Sequence, residues 1–432
     1  MEAAPAARVP GARPDGMAGP MSATGTDLDG VDSPYAWRRL AASLALSTIG
    51  GVGIWSMVVV LPDVQAEFGV ARGAASVPYT ATMLGWAAGG VLMGKVADRF
   101  GVVPPILLGI VSLAAGYALS AIATGFVPFV LAQAVLVGMF GASATFTPLV
   151  ADVSHWFARR RGTAIGIVAS GNYLAGTIWP PIIRALVEQH GWRPTFLGIA
   201  AFCLATMVPL AFALRRPTPR EDAAPPRETG PAAVARAPSA NSLTAVLIVA
   251  GLTCCLAMAT PQVHIVAYCA DLGYGPARGA EMLAAMLGFG VVSRLVSGWI
   301  CDRIGGVRTM LLGSALQMLS LLLYLPFDGL VSLYVVSALF GLAQGGIVPS
   351  YAIIVRERLP AREAGARIGL VLMATIVGMA LGGWLAGAIF DWTGSYQAAF
   401  LSGIFWNLVN VAIGLWLLRG WPVAPQPARA AA

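Results

Sequence analysis

Apolar stretches of about twenty residues follow one another along this chain from Tyr35 to near residue 420, and each is long enough to cross a bilayer core of roughly 30 Å. One such stretch would be an anchor. A succession of them makes lipid the solvent of the whole fold, because a soluble protein of 432 residues could not hide so much apolar surface. The composition agrees: 57% of residues are hydrophobic and only 11% charged, less than half the charged share of a soluble domain. Backbone groups in hydrocarbon must bond within their own segment, so the spans are predicted to be helices.

The spans are predicted near 38–61, 74–97, 103–123, 127–151, 163–187, 194–214, 243–268, 279–301, 307–326, 330–354, 366–390 and 396–418. The fold class expected is therefore all-α, with twelve transmembrane helices in two six-helix bundles, 35–214 and 243–420. Residues 1–34 and 421–432 read as polar or Ala/Pro-rich tails, the first disordered. Residues 215–242, rich in Pro and Arg, read as a flexible linker. No apolar core precedes Tyr35, so a cleavable signal is not expected. Arginines crowd the segments on the N-terminal side of the membrane: Arg38, Arg39, Arg99, Arg160, the linker, Arg303, Arg308, Arg356 and Arg367. The other side carries few, among them Arg72, Arg193 and Arg278. The bias puts both termini in the cytoplasm of a cell-membrane protein.

The net charge of +7 does not point to nucleic acid, because the basic residues are dispersed over short loops rather than gathered on one face. The five cysteines fall in or beside spans, which argues against a disulfide framework. No metal-ligand spacing, phosphate loop or nucleophile elbow is present. No cofactor or metal is expected, nor an enzymatic activity, and a monomer is the expected state.

An internal repeat runs at an offset of about 204 residues. The second predicted helix ends Gly94-Lys95-Val96-Ala97-Asp98-Arg99-Phe100-Gly101, and the eighth ends Gly298-Trp299-Ile300-Cys301-Asp302-Arg303-Ile304-Gly305. Phe196 and Phe400 repeat at the same offset. One such motif is weak; two, each closing the second helix of a half, are a strong signal. The pair resembles the signature of the major facilitator superfamily, over residues 35–420. A carboxylate at a helix end can accept from the free N–H groups that begin a facing helix. Gly94, Asp98, Arg99, Gly298, Asp302 and Arg303 are thus candidate gating residues, with Asp98 expected at the start of helix eleven and Asp302 at the start of helix five.

Arg294 stands inside the eighth helix, eight residues before Asp302 and so about 12 Å deep by helix rise. An arginine there costs roughly 2.5–3.5 kcal/mol on insertion scales. The acids Asp63, Asp152, Glu188, Asp271, Asp328 and Asp391 all lie near helix ends, and none matches its depth. A cation in a transporter cavity without an acid asks for an anion from solution; the alternative is a structural arginine on backbone carbonyls. The segment Gly290-Val291-Val292-Ser293-Arg294 looks like the eighth helix of the monocarboxylate porter and oxalate–formate antiporter families, where such an arginine binds the substrate carboxylate. Trp156-Phe157 with Arg161-Gly162, Ala169-Ser170-Gly171 and His264 through Tyr268 carry the same resemblance. Gly290 replaces the aspartate that some relatives have one turn before the arginine, and the first-helix lysine has no counterpart.

Asn172, Tyr173, Tyr79 and Tyr351 are further candidate substrate-binding residues. His264 and Asp63 are candidate proton carriers, although a lone histidine is more often a hydrogen-bonded packing group and Asp63 an exposed helix-end charge. The expectation is a secondary active transporter that moves a small monocarboxylate by alternating access with proton symport. Efflux of amphipathic compounds is the alternative within transport, and a non-transporting membrane sensor the alternative outside it.

Overall fold

The computed structural model describes residues 30–157, 160–216, 240–359 and 361–420. The expected tails, apart from residues 30–34, and most of the linker lie outside them. Among the described residues, twelve helical passages follow in order. They are α1 Pro34–Phe68, α2 Arg72–Phe100, α3 Val103–Ile122, α4 Phe126–Trp156, α5 Arg161–Ala169 with Gly171–His190, and α6 Trp192–Phe212. The second half comprises α7 Ala240–Asp271, α8 Pro276–Ile304, α9 Gly306–Leu323, α10 Leu330–Arg358, α11 Ala361–Thr393 and α12 Tyr396–Gly420. Ten of these are long and apolar enough to cross a membrane. The other two, α2 and α5, fall short because they exchange apolar residues for Gly, Thr, Asn and charge. They also make the most extensive contacts with the second half, α2 against α11 and α5 against α8, so they need less lipid-compatible surface. The chain is thus an all-α, multi-pass membrane protein.

Both copies of the repeated motif do the same conformational task. The closing glycines, Gly101 and Gly305, have φ of 83° and 82°, which side chains rarely tolerate, and each ends a 29-residue helix. The expected equivalence of Asp98 and Asp302 along their helices follows from this.

Helix starts and ends at the N-terminal end of the bundle are tied by a buried charge. Arg39 of α1 is 2% exposed and grips Asp152 of α4 with both Nε and Nη2 at 2.7 Å. Its guanidinium lies over the Trp156 ring, and Nη1 donates to the Arg216 carbonyl. The pair welds α1, α4 and the exit of α6. All five cysteines are free and buried.

The end of the bundle that holds the starts of α1 and α7 is called the terminal end below, and the opposite one the distal end. The halves touch in the distal part. Thr80 of α2 donates to the Ala380 carbonyl of α11, and Tyr79 of α2 packs on Gly383. On the other seam Gly176 meets Leu287 and Gly288 meets Thr177. Towards the terminal end the surfaces part. Gly162 and Gly166 of α5, Gly298 of α8 and Gly369 of α11 have no atom within 4 Å of where a Cβ would stand, and Asp98, Arg99, Asp302 and Arg303 are exposed.

Candidate functional site

Several helices break part-way along their length. The first gives way at Gly51, α5 at Ser170 and α10 at Gly345–Gly346. Breaks release carbonyls that a regular helix would use. Pro349, four residues after Gly345, has no N–H, so the Gly345 carbonyl has no helical donor. The Ala169 carbonyl sits at the last residue before the α5 break.

Arg294 of α8 fills that gap. It is half-buried; Nη1 donates to the Ala169 carbonyl at 3.2 Å and Nε reaches the Gly345 carbonyl at 3.5 Å. Its guanidinium lies 4.4 Å from the centre of the Tyr173 ring, a cation–π contact. No carboxylate pairs with it among the described residues. It therefore joins three helices, one of them from the other half, and retains donors for a further acceptor, since a guanidinium carries five N–H groups. The carbonyl partners are those of the structural alternative, and the missing acid is what an anion site requires.

Around Arg294 the structure gathers some of the residues singled out in the sequence and separates others. Tyr173 is 8% exposed and fits against Gly290, where a side chain would collide with its ring. Asn172 is fixed by the Trp55 indole N–H, which donates to its backbone oxygen at 2.9 Å and to Oδ1 at 3.2 Å. Gln344 of α10, bonded to Gln262 of α7, lies beside Gly290 with its Nε2 unpartnered. Tyr79 lies between the halves, fully buried, its hydroxyl without a partner. Tyr351 lies elsewhere. Its hydroxyl is 3.1 Å from the Ala250 carbonyl and 3.0 Å from Asn410 Oδ1, so it braces α7 against α12 inside the second half.

The two proton candidates are both held by partners. His264 is 1% exposed; Nε2 is 2.7 Å from the Gly383 carbonyl and Nδ1 3.2 Å from the Tyr396 hydroxyl. A carbonyl only accepts, so Nε2 carries the proton and Nδ1 accepts from Tyr396. Asp63 is paired with Arg184 of α5 at 2.9 Å, and Arg184 also reaches Glu188 at 3.0 Å. Arg184, 8% exposed, is an embedded cation that the sequence reading passed over. Its signal was available, since Glu188 stands one helical turn away.

The distal end carries a second set of residues that sequence reasoning left as separate helix-end charges. The Asp391 carboxylate of α11 accepts from the backbone N–H of Arg72 at 2.8 Å and of Gly73 at 2.7 Å. The Arg72 guanidinium bonds both oxygens of Asp271 of α7, at 3.0 and 3.1 Å, and the Tyr396 hydroxyl of α12. One residue of the first half is thus clasped by three helices of the second. At the terminal end the expected docking of Asp98 on α11 and of Asp302 on α5 is not formed; neither carboxylate has a partner among the described residues. A carboxylate does cap a helix start there, but within one half: Glu357 of α10 accepts from Gly306 N at 3.1 and 3.3 Å.

Two helical halves in contact at one end and parted at the other, with a polar centre between them, define the architecture of a secondary transporter. The chain belongs to the Major Facilitator Superfamily, whose family model matches residues 43–336 and 270–432. It is 29% identical over 308 residues to monocarboxylate transporter 13 of Bos taurus, covering 71% of each chain. It is 28% identical over 399 residues to monocarboxylate transporter 11 of Homo sapiens, covering 86% of this chain and 80% of the other. Among solved structures it resembles a bacterial homologue of the human lysosomal transporter Spinster in an inward-facing, occupied conformation. That match has a TM-score of 0.69 and 14% identity, over 90% of this chain and 97% of the other. A mutant of the nucleoside transporter NupG matches with a TM-score of 0.67 and 14% identity, over 90% of this chain and all of the other. At that identity the structural likeness speaks for the fold alone.

Proposed function

We propose that the protein carries a small monocarboxylate across the cell membrane by alternating access, with the terminal end in the cytoplasm. The observation that carries the reading is Arg294: a cation between the halves, beside broken helices, with two carbonyl partners and no acid among the described residues. A carboxylate supplies the charge that the carbonyls lack, and a planar guanidinium grips it through two parallel hydrogen bonds. The names of the curated relatives support the same substrate class. In this reading the state described is open to the cytoplasm. Substrate leaves Arg294 by the parted terminal end, and the halves rock about the α2–α11 and α5–α8 seams to expose it on the other side.

Proton symport is part of the proposal, because uptake of an anion against the membrane potential needs a compensating cation. His264 is the better placed carrier. Its Nδ1 accepts from Tyr396, whose oxygen in turn accepts from Arg72, so its surroundings change when the distal clasp opens. Asp63, held by Arg184, is the weaker candidate. The test is uptake of labelled mono- and dicarboxylates into proteoliposomes, with and without an inward proton gradient. Gradient-stimulated uptake of monocarboxylates is expected. Transport of neutral or cationic solutes with none of any acid would overturn the reading.

A further inference from the structure

Beside the Arg294 site, on the side of the first half, lies a small pocket that the carboxylate does not use. Ser47 and Ile54 of α1, Trp86 of α2, Thr145 and Phe146 of α4 and Asn172 of α5 line it, and it has room for about one water-sized group. Its walls are apolar except at three points. Thr145 Oγ1 already donates to the Ala142 carbonyl at 3.1 Å. Ser47 is 3% exposed, and its hydroxyl has no partner. Asn172 turns Oδ1 to the Trp55 indole, which can only donate; its NH2 has no partner among the described residues. A buried hydroxyl left unpaired is costly, and an alanine in its place would avoid that cost. An unpaired O–H and an NH2 without a partner, on two residues that line a void of one group's size, offer hydrogen bonds to an oxygen.

Resting on the monocarboxylate reading, we infer that this pocket is a second subsite of the same substrate, which receives a hydroxyl or oxo oxygen that the acid carries several bonds away from its carboxylate. Asn172 Nδ2 and Ser47 Oγ donate to that oxygen, and Trp86 and Phe146 cover it. The spacing follows from α5. Ala169 and Tyr173 are four apart and face Arg294 together, whereas Asn172 is turned by about 100° from Tyr173. On a helix of side-chain radius about 5–6 Å, that turn separates the two positions by about 8 Å. A hydroxyl on the carbon next to the carboxylate cannot bridge them; one four or five carbons along can. Such a ligand has its head on α8 of the second half and its tail on α1 and α5 of the first, so it holds the two halves at one spacing.

The test is competitive binding to the reconstituted full chain of hexanoate and its 2-, 3-, 5- and 6-hydroxy derivatives, which share one charge. The 5- or 6-hydroxy acid is expected to bind about five- to tenfold more tightly than hexanoate, as one added hydrogen bond provides, and the 2-hydroxy acid no more tightly. In Ser47→Ala and in Asn172→Ala the ratio of hydroxy acid to hexanoate affinity should fall towards one, whatever happens to the absolute values. Thermal unfolding in detergent checks that both variants fold. Equal binding of all five acids by the wild type, an advantage confined to the 2-hydroxy acid, or an advantage that survives both substitutions would overturn the subsite while leaving the carboxylate site standing. Failure of every acid to bind would remove both.

Discussion

The carboxylate of Asp391, at the end of α11, accepts the first two backbone N–H groups of α2, those of Arg72 and Gly73, across the boundary between the halves. This is the contact that the sequence motif led one to expect between Asp98 and α11, built between the same two helices but at the opposite end and with the roles exchanged. The unpaired N–H groups of a helix start carry a partial positive charge, and a carboxylate placed on them contributes up to about 2 kcal/mol where it is shielded from water. The distal end, where the halves touch, has this contact made, and at the terminal end the corresponding Asp98 and Asp302 carboxylates have no partner among the described residues.

Asp391→Ala should therefore loosen the distal end. A loss of about 1–2 kcal/mol raises the share of distal-open molecules roughly 5- to 30-fold. Thr80→Cys in a cysteine-free background reports on this seam, because Thr80 bonds α11 only while the halves are together. Faster labelling of that cysteine by a membrane-impermeant reagent is the expected result; an unchanged rate would show that the contact does not hold the gate.

Asp98→Asn should act with the opposite sign. Asp98 is exposed and unpaired in the terminal-open state, so the substitution costs this state little, whereas the terminal-closed state loses a charge on a helix start. The population should move further towards terminal-open, and the same cysteine at position 80 should label more slowly than in the wild type. Asp302→Asn should do likewise, and faster labelling in either variant would count against the lock.

Arg39 and Asp152 give a prediction about stability alone. Removing one member of a buried pair strands the other, at a cost of about 3–5 kcal/mol. Arg39→Ala should lower the midpoint of thermal unfolding in detergent sharply. The joint change Arg39→Met with Asp152→Leu, which removes both charges and keeps volume, should recover most of it. Equal losses in the single and joint variants would mean that the packing of the stems, and not the pair, carries the stability.

The sequence made the membrane class, the two halves and the motif legible, because each rests on local pattern: apolar length, a repeated eight-residue motif of small and charged residues, and the glycine that closes each copy. It also singled out Arg294 by depth. It could not show that Asp391, Asp271 and Arg72 form one cluster, since they are up to 319 residues apart and only the docking of one half on the other brings them together. Asp63 was legible as an acid near a helix end but not as a partner of Arg184, because the first and fifth helices meet only in the folded bundle. Tyr351 looked like Tyr173 in sequence, an aromatic residue in a span. What separates them is which way the helix turns: Tyr173 faces the other half, Tyr351 the inside of its own.

Arg294 decides the substrate class. If it binds a carboxylate, Arg294→Ala should weaken acid binding by about 1.5–3 kcal/mol, roughly 10- to 150-fold. Arg294→Lys should keep a remnant, because it preserves the charge but not the two-pronged grip. The unfolding midpoint should move little in either variant. The partners left behind are two neutral backbone carbonyls, those of Ala169 and Gly345, and the embedded charge that is removed was itself costly. A purely structural arginine predicts the reverse pattern, with unchanged binding per folded molecule and a large drop in stability, since α5, α8 and α10 would lose their common tie. Measuring binding and unfolding on the same preparation separates the two, and intact acid binding by Arg294→Ala would end the case for an anion site at this position.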